Sequence, residues 1–513
     1  MLPLLVRNAL LTMCRSRAST GRPLDRKQPH RVELLGRALV LWWEPGSARW
    51  RLHDDLCPHR LVPLSEGRVS EQGRLQCGYH GWEFSGSGAC ERIPQGGLAS
   101  SPRACLAAYP VEVRQGLVWA RPIALPRGLD SRDSAAGVDT SDIPIVPELE
   151  DPEWVPQDTW RDLPYDYSTL MENVVDSSHV PFTHHKSISN RNVLGDYHMH
   201  LTSPPSLAGF TGLWEAGPRA GQMGPQTTTF HAPCYLKHKL DASEKRGFQS
   251  LTVVYAVPQA PGRCRLINRN VVRFTRTSLP ARLLRLLPRW VSHVGSHVPL
   301  EDDQIFLHIG EVEYWKRRAA GAGPLAPYFL ASPADTLVAA FRSWLDRQGG
   351  GGPWGHPTPA LVALLPPRQS RSQLLDRHTQ HTAHCASCQQ GLALVTQAAH
   401  AADMAAACAV AAAVLTAALA AAASVYSPVQ TLNVPGGGVS GDVIATVANM
   451  TAGAVLTLVN VVAGTGGPNA QAMRSLAWVV MAAGAAFIAH AARRLQARFH
   501  HGDYPPPRNM EAT

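Results

Sequence analysis

Cys57-Pro58-His59-Arg60 and Cys77-Gly78-Tyr79-His80-Gly81-Trp82, with residues 61–76 between them, decide how this chain is read. One pair is spaced C-x-H and the other C-x-x-H, and each has its own turn former, proline or glycine. Thiolates and imidazoles interleaved in this way suit a [2Fe-2S] cluster in which cysteines hold one iron and histidines the other. Neutral imidazole in place of thiolate raises the reduction potential above that of an all-cysteine ferredoxin, so such a cluster can accept electrons from one and pass them on. A Cys2His2 zinc site is the rival reading, but it normally places both cysteines ahead of both histidines at wider separation. The candidate cluster ligands are therefore Cys57, His59, Cys77 and His80.

At 513 residues the chain exceeds what one core holds, so more than one domain is expected. The formal charge of +9 is spread without a Lys/Arg block, a mild bias towards anionic partners or lipid and not the footprint of a nucleic-acid binder. Ten cysteines do not form a disulfide framework here. Cys57, Cys77, Cys385 and Cys388 sit in motifs and the rest are scattered, as in a reducing compartment. Arg7, Arg15, Arg17 and Arg22 precede the first acidic residue, Asp25, among several Ser and Thr. Residues 1–24 thus read as a transit-like segment, with a disordered start as the alternative.

Between Arg31 and Pro122, Val32 to Leu35, Leu39 to Trp43, Trp50 to His53, Val111 to Val113 and Leu117 to Ala120 alternate with turn signals, which predicts a small all-β domain over 25–122. A second region, 123–348, reads as α+β. Thr227 to Tyr235, Ser250 to Val257 and Arg263 to Phe274 are expected strands of an antiparallel sheet, and Tyr167 to His179 and Glu301 to Trp315 expected helices against it. Arg282, Arg285 and Arg289 alternate with leucines in a segment that reads as an interfacial helix or as a solvated face over a core stripe.

The first of those helices carries a second candidate site. Steps of three would put Asn173, Asp176 and His179 on one helical face. Pro181 should end the helix and let the chain swing His184 towards the same point. Two histidines and a carboxylate form the facial arrangement of non-haem Fe(II) oxygenases. In Glu301-Asp302-Asp303, Asp303 is the favoured third ligand; acids enriched at a helix start give the same residues with no metal.

Trp42-Trp43, Cys57 to Gly67, Gly73 to Cys77, Tyr79 to Trp82 and Asn173 to His185 resemble the plant and algal chloroplast Rieske non-haem iron oxygenases, the family typified by pheophorbide a oxygenase. The resemblance resumes at Ala334 to Trp344 and at Leu375 to Arg377. It implies a β-type Rieske domain followed by a helix-grip catalytic domain, assembled as a homo-trimeric ring with ferredoxin as electron donor. It also implies a mononuclear non-haem Fe(II), for which His179 and His184 are the histidine candidates and Asp303 the favoured acid, with Asp302 and Glu301 as the alternatives. Asp176 matches a carboxylate that bridges a cluster histidine to an iron-ligand histidine, a role in which it would fix both rings. The strand that commonly precedes such a Rieske domain is expected to be absent here, its place taken by the Arg-rich start.

Residues 349–402 read as a linker that holds Cys385-Ala386-Ser387-Cys388, which the resemblance makes a regulatory dithiol for a thioredoxin-like partner. Met404 to Tyr426, Val443 to Ala463 and Ser475 to Ala492 reach or approach bilayer-spanning length, so 403–494 read as transmembrane helices and 495–513 as a tail. The leading expectation is a ferredoxin-dependent oxygenase of a chloroplast membrane, inner envelope or thylakoid. With O2 it would open the ring of pheophorbide a, a chlorophyll-derived tetrapyrrole. The alternatives are a hydroxylase of protochlorophyllide or of a linear bilin, and a non-catalytic redox sensor on a chloroplast import translocon.

Overall fold

A computed structural model of the chain describes residues 11–15, 24–125, 143–425 and 468–503. The candidate span Val443 to Ala463 lies outside the described residues. Two compact units divide the chain: 1–389 with 499–513, and 390–498.

Three small sheets build the N-terminal β region. One has the order β2-β3-β4-β9, from His30–Leu34, Arg37–Glu44, Arg49–Asp54 and Ala108–Tyr109. A second pairs β11 (Leu117–Ala120) with β10 (Val111–Arg114) on one side and β1 (Leu11–Arg15) on the other. This corrects one expectation: a strand does precede the domain, inside the Arg-rich start, with Leu11 opposite Ala120 and Arg15 opposite Leu117. A short strand that ends in an arginine is hidden in a cationic stretch when its pairing is supplied by distant chain.

The third sheet, β5 to β8 (Arg68–Val69, Leu75–Gln76, Glu83–Phe84, Cys90–Arg92), is made of strands too short to stand alone. Its support is apolar: Val40, Trp42, Leu64, Leu75, Phe84 and Leu106 form one buried cluster that includes Cys57 and Cys77.

The larger region centres on a seven-stranded antiparallel sheet of order β12-β18-β17-β16-β15-β14-β13, from Val155–Leu163 (β12), Met199–Ser206 (β13), Gly209–Trp214 (β14), Gln226–His231 (β15), Tyr235–Ala242 (β16), Phe248–Ala260 (β17) and Arg263–Phe274 (β18). The expected single strand Thr227 to Tyr235 is two strands, parted by a turn at Pro233 that cannot donate to a ladder. Helices Tyr167–Val175 and Thr336–Arg347 pack on the sheet. Phe230, Phe341 and Trp344 interlock there at centroid distances of 5.3 and 4.6 Å from the Phe230 ring. Buried Arg342 pairs with Glu172, which joins the two helices, and sits 4.0 Å over the Tyr314 ring. The helix expected to begin at Glu301 runs from Arg289 to Ala319.

The β domain is fastened to this sheet by backbone: Leu35 N donates to Pro258 O at 2.8 Å and Gly36 N to Gln259 O at 2.6 Å. The Leu/Arg segment forms the helix Leu279–Leu286, with Leu279, Leu283 and Leu286 exposed.

In the unit 390–498, the helix Ala386–Val425 and the helix Pro468–His500 run antiparallel. Arg493 pairs with Asp403, and Gln496 Nε2 donates to Thr396 Oγ1 at 3.0 Å. Both are long and apolar enough to cross a bilayer, and Val410, Val414, Val480 and Phe487 leave apolar surface exposed. The first starts well before the expected Met404.

A buried acid pair locks the start of the helix Tyr167–Val175. Asp166 caps it, its carboxylate accepting from Ser168 N at 2.9 Å and Trp354 Nε1 at 2.6 Å, while its own N–H donates to Glu311 Oε2 at 2.5 Å. Burial, then the nearby Asp166 charge, pushes the Glu311 carboxyl up to about 8. The folded chain thus binds that proton more tightly than the unfolded chain does, and the stability it contributes is lost as pH rises through about 8. Denaturant unfolding midpoints should therefore fall between mildly acidic and mildly alkaline pH in the unaltered chain, and much less in Glu311→Gln. Equal slopes in the two proteins would refute this account.

Candidate iron centres

The two cluster loops close in the same way. Leu61 N donates to Cys57 O at 2.8 Å and Cys57 N to Val62 O at 2.9 Å; Gly81 N donates to Cys77 O at 3.1 Å and Cys77 N to Trp82 O at 2.8 Å. Each loop leaves through a left-handed residue, Leu61 at φ 56° and Gly81 at φ 73°. Gly78 has no room for a side chain, since a Cβ there would lie 2.8 Å from Glu66 O.

The geometry separates the donors by type. Cys57 and Cys77 are buried, whereas His59 is exposed and His80 half-buried, their ring centroids 4.6 Å apart and His59 stacked on Trp82 at 4.7 Å. Burial, with Cys77 beside it, pushes the Cys57 thiol up to about 12, so bound metal would be needed to keep the Cys57 sulfur a thiolate at neutral pH. Leu61 and Tyr79 are exposed around the histidine tips.

At the second site the helix is shorter than expected. It ends at Val175, and Asp176 is already extended (ψ 107°). Ser178 causes this: its N and Oγ donate to Asp176 Oδ1 at 2.7 and 2.6 Å, an Asx turn that competes with helical bonding. Asn173, Asp176 and His179 therefore do not share a helical face. Pro181 stops nothing; it lies in the first turn of Val180–Thr183, a single turn flanked by His179 and His184. That turn brings the two imidazoles to a centroid distance of 5.3 Å.

The acids come from one place and point three ways. Asp303 Oδ2 lies 3.8 Å from His179 Nε2 and 3.5 Å from His184 Nε2. Asp302 Oδ2 faces the other side of His184, 3.2 Å from Nδ1, and also accepts from Ser187 Oγ at 3.0 Å. Glu301 turns away to Arg161 and Arg377, at 2.6 and 2.5 Å. Asp176 Oδ2 is 3.4 Å from His179 Nδ1, so both imidazoles have a carboxylate on the outer nitrogen and Asp303 on the inner one.

His179, His184 and Asp303 offer ligand atoms within 4.8 Å of one another. Asn173 Nδ2 is 3.4 Å from His179 Nε2. Burial raises the Asp303 carboxyl, with His179 and His184 pulling against it. Against its own burial, Asp176 is held low by His179 and Ser178.

A family model described as Rieske [2Fe-2S] domain matches residues 17–109, and one described as pheophorbide a oxygenase matches residues 230–319. Pheophorbide a oxygenase, chloroplastic, of Oryza sativa subsp. japonica is 35% identical over 71% of this chain and 70% of its own length. The chain belongs to the pheophorbide a oxygenase family. Flavonoid 8-hydroxylase 2, chloroplastic, of Ocimum basilicum is 34% identical over 71% of this chain and 70% of its own. Among solved structures, dicamba monooxygenase bound to dicamba aligns with a TM-score of 0.51 at 19% identity, over 67% of this chain and 98% of that one, a likeness of fold.

As a member of the pheophorbide a oxygenase family, the chain is a Rieske non-haem iron oxygenase with a [2Fe-2S] cluster and a mononuclear iron. The residues present fit both groups. The buried sulfurs and outward imidazoles suit the two ends of a binuclear cluster. At the second site Asp176, Asp302 and Asp303 crowd two histidines with negative charge that a divalent cation would offset.

Sequence reasoning missed Asp302 and Ser178 as supports, although acids next to a ligand and a serine two residues after an aspartate are readable signals. It also missed the surroundings of Cys385 and Cys388, which lie with His293 and His381 and not with Asp176, Asp303 or the cluster loops. The spacing His381-x-x-x-Cys385-x-x-Cys388 was the available signal.

Asp303→Ala should strip the mononuclear iron while the visible absorption of the cluster persists. Asp302→Asn should weaken that iron's retention by about 10–100-fold, as outer partners of a ligating histidine do. Iron counted per chain after desalting checks both, and the reverse ranking would exchange their roles.

Proposed function

We propose that this chain opens the macrocycle of pheophorbide a, with electrons from ferredoxin and O2 as the oxidant. The observation that carries this is the convergence of His179, His184 and Asp303 downstream of a Rieske pair, in a chain 35% identical to a pheophorbide a oxygenase. Cys57, His59, Cys77 and His80 would hold the cluster, and His179, His184 and Asp303 the single iron. When bound, the cluster supplies electrons one at a time and the iron supplies the site at which O2 is activated.

The chain's own residues set the conditions. Asp302 and Asp176 would hold a proton on Nδ1 of His184 and His179, which leaves the Nε2 lone pairs facing Asp303. Asn173, beside His179 Nε2, is placed to donate to a polar group that enters the site. Asp176 retains an exposed edge, its side chain 25% accessible. No hydrogen bond joins it to His59 or His80 of the same chain among the described residues. A homo-trimeric ring, in which one copy's exposed cluster tip meets its neighbour's Asp176, would supply that link.

The two apolar helices support anchoring in a chloroplast membrane, inner envelope or thylakoid, where an apolar pigment dissolves. A second reading rests on the flavonoid 8-hydroxylase relative: the same iron ligands could serve hydroxylation of another aromatic substrate.

Detergent-purified chain with reduced ferredoxin, O2 and pheophorbide a should yield a linear red tetrapyrrole. His179→Ala should lower turnover by at least about a thousandfold with the cluster's absorption unchanged. Oxidation of protochlorophyllide, a bilin or a flavonoid but not of pheophorbide a would refute the substrate. Full cellular function in His179→Ala would refute catalysis and favour a redox sensor.

A further inference from the structure

Cys385 and Cys388 read from sequence as a bare dithiol, and in the fold they have company. The start of the helix Arg289–Ala319 presents His293, and the segment ahead of Cys385 presents His381. All four side chains are buried, at 0% exposure for His293, His381 and Cys385 and 1% for Cys388. His293 Nδ1 lies 3.5 Å from Cys385 Sγ and 3.4 Å from Cys388 Sγ. His381 Nε2 lies 3.3 Å from Cys388 Sγ and 3.2 Å from His293 Nδ1. All four ligand atoms are within 4.8 Å of one another.

Those spacings are the edges of a coordination tetrahedron. Metal–sulfur bonds of ~2.3 Å and metal–nitrogen bonds of ~2.0–2.1 Å give edges of about 3.4 Å between nitrogens and about 3.6 Å between nitrogen and sulfur. A hydrogen-bonded cluster would need only its donor–acceptor pairs to be close, whereas here both histidines and both cysteines draw together. A second Rieske cluster is excluded by the same distances, because it would hold the cysteines and the histidines on different irons, apart from one another.

We propose that His293, His381, Cys385 and Cys388 bind one zinc ion as a closed structural site. On binding, each thiol gives up its proton to solvent, both imidazoles bind neutral, and two thiolates cancel the charge of Zn2+. A net charge of zero suits a pocket with no exposed ligand. Four protein ligands leave no open position, so the site is not a second reaction centre. Its work is mechanical: it ties the start of the helix that bears Asp303 to His381 and Cys385 ahead of the helix Ala386–Val425 and to Cys388 in that helix's first turn.

The site is separate from the iron centres, so its failure would leave the oxygenase reading intact. Zinc and iron are to be counted per chain in the full-length protein purified in detergent, and the zinc shell resolved by X-ray absorption at the zinc edge. The expected result is about one zinc per chain beside the iron, with two sulfur and two nitrogen neighbours. Cys388→Ser and His381→Ala should bring zinc to background, Cys388→His should retain it, and Cys408→Ser should leave it unchanged. Should the first two variants fail to accumulate, the absorption spectrum of the unaltered chain still decides. Three outcomes would overturn the proposal: no zinc, with Cys385 and Cys388 closing to a disulfide under a thioredoxin-like partner; iron bound in place of zinc; or a zinc shell without sulfur, which would put the zinc at His179, His184 and Asp303.

Discussion

Glu301 is buried to 1% and receives two guanidinium groups, Arg161 from β12 and Arg377 from the segment after the catalytic region. Much of the site's geometry depends on this triad. Removing one member of a buried pair typically costs ~3–5 kcal/mol, because the charge left behind has neither water nor a partner. The long helix is therefore held in rotation about its own axis. Successive helical residues point about 100° apart, so fixing Glu301 against Arg161 also fixes Asp302 towards Nδ1 of His184 and Asp303 towards the inner nitrogens of both histidines.

How much of this could be read in advance depended on distance along the chain. The cluster loops were legible because C-x-H and C-x-x-H are local patterns and each loop closes on itself. β3, β4, β11 and β18 were legible because their apolar runs are bounded by turn formers. β13 was not: His200, Thr202, Ser203, Pro204 and Pro205 break any alternation, and the strand exists because β14 pairs with it. β12 was hidden by Asp158, Arg161 and Asp162, whose charges look like loop until Arg269, Glu301 and Arg265 are seen to meet them.

The side chains proposed to hold the single iron could be named from the sequence, but their geometry could not. The reading of Asn173, Asp176 and His179 on one helical face fails because Ser178 draws Asp176 into a turn, and proximity is restored only by the turn after it. Glu301, Asp302 and Asp303 were indistinguishable in sequence for a different reason. Any of three adjacent acids can face a metal until the rotation of their helix is known, and here that rotation is set by Arg161 and Arg377, each more than seventy positions away.

Tolerances explain why such a helix is held at several points. With side chains its radius is ~5–6 Å, so a rotation of roughly 20° would carry the Asp303 carboxylate about 2 Å, against a working tolerance near ~0.5 Å for a preorganised site. His293, Glu301, His308 and Glu311 are all buried on this one rod and each reaches a different neighbour: the Cys385 region, Arg161 and Arg377, the Pro164 carbonyl at 2.7 Å, and the Asp166 backbone at 2.5 Å. Pro299 interrupts the rod between the first two of these, where it lacks an N–H to continue the hydrogen-bond ladder. A helix weakened there needs separate restraint on each side of the break, and buried polar groups at both His293 and Glu301 provide it.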